Sequence, residues 1–102
     1  MDEDRPPEPQ PQVEIYLPSE LEPGVYSNML AAWYTADEFT LDFAALQRPR
    51  ETEYGDAVSW ARVVTRVKVP TSGIFEMIRI MNEVMTRYER TFGEIRSPGD
   101  EA

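Results

Sequence analysis

The chain has 102 residues and a net charge of −9, enough for one small domain with one modest core. It contains no cysteine and no histidine. Disulfides, thiolate chemistry, Ser-His-Asp or Cys-His triads and the usual zinc ligands are therefore excluded, and neither a cofactor nor an enzymatic activity is expected.

The charge is unevenly spread. Residues 1–24 carry seven acids against Arg5, residues 97–102 add Asp100 and Glu101, and the segment 25–96 has ten acids and nine bases. The tails are thus acidic around a nearly neutral centre, which opposes non-specific binding to nucleic acid. No apolar run approaches 18 residues and no basic-then-apolar leader is present, so a cytoplasmic location is expected.

In chain order, residues 1–12 combine acids and glutamines with Pro6, Pro7, Pro9 and Pro11. They hold too little apolar surface to offset ordering entropy and read as a disordered tail. Val13, Ile15 and Leu17 alternate with Glu14 and Tyr16, predicting a short strand that opens a single domain over 13–96. Pro18 and Glu22-Pro23-Gly24 break the chain. From Val25 to Tyr34 both faces are apolar, predicting a strand covered on both sides, with Asn28 satisfying a bulge or a strand amide.

Thr35-Ala36-Asp37 reads as a tight turn, with Asp37 and Glu38 as turn formers. Phe39, Leu41, Phe43 and Ala45 then alternate with Thr40 and Asp42, the clearest strand signal of the chain. Residues 48–58 are polar, with Pro49 and Gly55, and read as a mobile connection. In Ser59–Val69, strict alternation puts Ala61, Val63, Thr65, Val67 and Val69 on one face. Trp60, Arg62, Val64, Arg66 and Lys68 take the other.

Pro70 stops that strand, and Thr71 is placed to cap a helix. The helix runs to Phe92, where Gly93 closes it, and residues 97–102 form a second disordered tail. Ile74, Ile78, Met81, Met85, Tyr88 and Phe92 recur at spacings of four and three, and Met77, Ile80 and Val84 widen the stripe to an arc of roughly 160°. A helix resting on one sheet needs about 100°. Part of the stripe is expected to cover the sheet, and the excess to meet a second copy. The predicted interface is Ile74, Met77, Ile78, Met81, Val84, Met85, Tyr88 and Phe92.

Val25-Tyr26-Ser27-Asn28, Glu38–Phe43, Ala61-Arg62-Val63 through Val69-Pro70 and Tyr88–Ile95 resemble the bacterial and archaeal domain-of-unknown-function 3467 family. The resemblance spans Val13 to Ile95 and implies a compact domain of strands followed by a helix, with no activity attached. In element order alone, the chain is also similar to the single-strand-binding transcriptional coactivator and PUR-type domains.

The fold class expected is α+β: an antiparallel β-meander of three to four strands followed by one long C-terminal helix, as a homodimer. The function expected is a non-catalytic cytoplasmic interaction or scaffold module with a protein partner and no membrane contact. The alternative is a single-stranded nucleic acid binder using Trp60, Arg62, Arg66 and Lys68, cations for phosphates and an indole for base stacking. Against it, Asp42 is placed to pair with the basic face across the strands.

Overall fold

A computed structural model describes residues 11–51 and 53–97. The fold is α+β, antiparallel strands followed by one C-terminal helix. Strands β1 (Met29–Tyr34), β2 (Glu38–Leu46) and β5 (Ala61–Pro70) form a sheet in the order β1-β2-β5. The short β3 (Arg50–Glu51) and β4 (Ala57–Val58) form a separate hairpin, and α1 spans Ile74–Phe92.

The clearest alternating segment became the central strand. Leu41 and Ala44 of β2 are buried with Val69 of β5, as are the polar Thr40 and Asp42. The tight turn at 35–37 is as expected: the Thr35 hydroxyl accepts hydrogen bonds from the amides of Asp37 and Glu38, both at 3.3 Å. Asn28 also acts as foreseen, its Oδ1 accepting the Leu46 amide at 2.9 Å. The expected tails, 1–12 and 97–102, lie outside the described residues apart from residues 11, 12 and 97.

Five expectations are corrected. Val13–Leu17 is not a strand, because no segment among the described residues hydrogen-bonds to it. The next strand begins at Met29 rather than Val25, and as an edge strand all six of its residues are exposed instead of covered on both sides. The 48–58 connection holds a hairpin, Arg50 opposite Val58 and Glu51 opposite Ala57, reversed near Gly55 at φ +84°. Thr71 makes no capping bond. Thr71–Gly73 is a 3-10 turn, and Gly73 occupies the N-cap without a side-chain hydrogen bond.

The fifth correction is the largest. The helix does not lie across the sheet: none of its residues is buried, and its extensive contacts are with the preceding 3-10 turn. Its first turn is held at the end of the sheet. The Thr71 amide donates to the Asp37 carbonyl at 3.3 Å, and the space at Gly73 lies 3.6 Å from the Val69 Cγ1. The helix then continues for about 28 Å at 1.5 Å per residue. Gly93 closes it at φ +95° and ψ 178°, a conformation open essentially to glycine, with its amide on the Glu89 carbonyl. The radius of gyration is 20.5 Å, against about 13 Å for a compact domain of this length.

Candidate functional site

Pairing register decides what each face of the sheet carries. Between Phe43 and Ala44 the β2–β5 register shifts: Phe43 faces Thr65, Ala44 faces Val63, and Val64 is the extra residue of a bulge. Side chains alternate along β2, so partners of Asp42 and of Ala45 lie on opposite faces. Arg66 pairs with Asp42 and Arg62 with Ala45. The row of Trp60, Arg62, Arg66 and Lys68 that strict alternation predicts is therefore split by the bulge. Val63, expected beside Val67, is moved to the opposite face by the same residue.

One face is polar and internally matched. The Arg66 guanidinium forks onto Asp42, Nε to Oδ1 at 2.7 Å and Nη2 to Oδ2 at 2.8 Å. Arg66 also lies 5.3 Å above the centroid of the Trp33 ring. Lys68 Nζ donates to Glu38 Oε1 and to the Thr40 hydroxyl, both at 3.2 Å. Asp42 is the cross-strand partner that the sequence implied, and both cations of this face are engaged.

The hydrogen bond from Arg66 holds the Asp42 carboxyl below its ordinary 3.8, with attraction from Arg66 and Lys68 adding to it against the opposing effect of burial. Because the folded state favours the carboxylate, this stabilisation is complete above pH 3.8 and is lost as pH falls through the lower folded value. Asp42→Asn should therefore be less stable than the parent at pH 7, with the difference shrinking toward pH 2, as thermal melts at both ends would read.

The opposite face is apolar. Leu30, Phe43 and Thr65 form one cross-strand row, Ala32, Leu41 and Val67 a second, and Tyr34, Phe39 and Val69 a third. Tyr34 and Phe39 stack at a tilt, their centroids 6.3 Å apart. Where this face ends past the bulge, Trp60 and Arg62 line a recess with Gln47 and Arg50. Sequence reading missed Arg50 and Gln47 there, since a hairpin inside the 48–58 connection carries no periodic signal of its own.

The helix stripe is exposed along most of its length. Met81 is 58% exposed and Phe92 74%, with Ile78, Ile80, Val84, Met85 and Tyr88 also exposed. Ile74 and Met77 are half-buried near the sheet. Tyr88 and Phe92 pack on each other, centroids 5.0 Å apart, and extend the stripe to the helix end. The far side is polar, Arg79 bridging Glu76 and Glu83. Among the described residues no group of three metal-ligating acidic side chains occurs. No helix of the described residues is long and apolar enough to cross a membrane.

A three-stranded antiparallel sheet with a single C-terminal helix, its apolar stripe exposed, defines a small α+β protein. The chain belongs to the family described as protein of unknown function (DUF3467), whose model matches residues 1–97. Comparison with curated proteins and with solved structures found no match.

Proposed function

We propose that this chain is a non-catalytic cytoplasmic interaction module that works as a homodimer, the stripe of α1 from Ile74 to Phe92 forming the self-contact. The observation that carries the reading is a 19-residue helix with no buried residue. Its seven exposed stripe residues present a contiguous patch on the order of 600 Å², the upper end of what a monomer shows. Covering it takes that apolar area out of water, the driving force that offsets the cost of bringing two chains together. Most of a helix's stability in proteins comes from packing of its amphipathic face, so what covers the stripe also supports the helix. A two-fold contact brings the same patch from each copy together without requiring a second surface.

The sheet and the β3–β4 hairpin are then left to meet a further protein. The absence of cysteine accords with a reducing compartment. Sedimentation at micromolar concentration tests the dimer: twice 11.8 kDa supports it, and a mass of 11.8 kDa overturns it.

Single-stranded nucleic acid binding keeps one specific observation, the convergence of Trp60, Arg62 and Arg50 on one recess. Arg66 and Lys68 leave that reading, being held on the other face by Asp42 and Glu38. The net charge of −9 weighs against it. Fluorescence anisotropy with labelled single strands decides. Saturable binding that weakens with salt and vanishes in Arg50→Glu/Arg62→Glu, but survives Arg66→Glu, would establish it.

A further inference from the structure

We infer that Val13–Leu17 pairs as an added edge strand with β5 of a second copy, so that the two protomers exchange N-terminal strands. The inference rests on the homodimer reading and deepens it. Val13 is 85% exposed and Ile15 95%, and Tyr16 and Leu17 are exposed as well. Among the described residues, Val13 through Leu17 form no hydrogen bond. An alternating β-branched segment of this kind is a strand in want of a sheet.

The sheet offers a matching vacancy. Among the described residues, β5 pairs with β2 on one side and with no strand on the other. Open edges of that length recruit further strands. Between the bulge at Val64 and Pro70, β5 runs regularly through Thr65–Val69, five residues, the length of Val13–Leu17.

The chemistry of the two strands agrees face by face. With Val13, Ile15 and Leu17 extending the row of Thr65, Val67 and Val69, Glu14 and Tyr16 fall on the face of Arg66 and Lys68. There the Glu14 carboxylate is a second acceptor for Arg66 and Lys68, whose side chains stay half-exposed beside Asp42 and Glu38.

The connection sets the direction. Glu20, Leu21, Gly24 and Val25 line a recess with Thr65, so the chain preceding β1 has already crossed the apolar face to the β5 side. The 3-10 turn Ser19–Leu21, with its Leu21 amide on the Pro18 carbonyl at 3.0 Å, joins that crossing to Val13–Leu17, whose side chains stay exposed. Pro18 at the junction is extended, at φ −57° and ψ 141°. A two-fold axis makes the exchange reciprocal.

Hydrogen–deuterium exchange on the full chain, beside sedimentation of the same samples, tests this. The amides of Glu14 to Leu17 are expected to exchange on the order of 100-fold more slowly than in an unstructured peptide, and to lose that protection on dilution as the dimer dissociates. A dimer whose 13–17 amides exchange at free-peptide rates overturns the strand exchange and leaves the homodimer standing. Protection in a chain that sediments as a monomer also overturns it, the strand then pairing within one copy. A monomer without protection removes both.

Discussion

Met81→Asp should convert the 11.8 kDa protomer's dimer into a monomer and melt much of α1. Met81 sits mid-stripe, with Met77, Ile78, Val84 and Met85 one turn away on either side, and is 58% exposed in the single chain. A carboxylate there costs nothing while the stripe faces water. It costs several kcal/mol once a second copy closes over it, because an unpaired charge in an apolar contact keeps no solvation. The substitution therefore acts on association first and on the helix second, since the freed helix returns to marginal stability. Two readouts check it: the sedimented mass halves, and the helical dichroism falls. Asn82→Asp is the control. It adds the same charge on the polar side of the same turn and should leave mass and helicity unchanged. Mass and helicity both unaltered in Met81→Asp would show that the stripe is not the contact.

Leu41→Ala should be the most damaging truncation in the sheet, costing about 2–5 kcal/mol in denaturant unfolding at fixed protein concentration. Leu41 is one of three buried apolar residues among the described ones, between Ala32 and Val67 in the middle row of the apolar face. A core this small has no second layer to collapse into the space. Val63→Ala gives the contrast. Strict alternation ranks Val63 with the core, but the bulge turns it to the polar face, where it is 49% exposed. Its truncation should cost less than about 1 kcal/mol. Equal losses at the two positions would show that the register runs straight through Val64.

Much of the architecture was legible from local signals. The alternation over Phe39–Ala45, the turn at Thr35–Asp37, the stop at Pro70 and the closure at Gly93 each belong to one segment, and each appears where the residues place it. What was not legible depends on a partner segment. Val13–Leu17 has strand chemistry, but pairing is a property of two strands, and none of the described strands pairs with it. The same alternation that marks a strand gives no warning of one extra residue, and Val64 looks like any other valine. Its consequence falls on the candidate site: Trp60 and Arg62 move away from Arg66 and Lys68 and join Arg50 and Gln47. Asp42 was the exception, a pairing inferred from charge alone and found as a two-pronged ion pair. The width of the helix stripe signalled an unmet contact, but not that most of the stripe would leave the sheet uncovered by its own helix.

The β3–β4 hairpin has a practical consequence for anyone wishing to load this protein. Because Arg50 and Val58 clamp its base, the ends of the tip at 53–56 are held together whatever lies between them. Lengthening such a connection is cheap, about 0.6 kcal/mol for each doubling, since closure entropy grows only logarithmically. A fluorophore tag or a grafted epitope inserted at this tip would ride outside both the three-stranded sheet and the helix. The excursion is thus a site where added residues leave the register of the three-stranded sheet untouched.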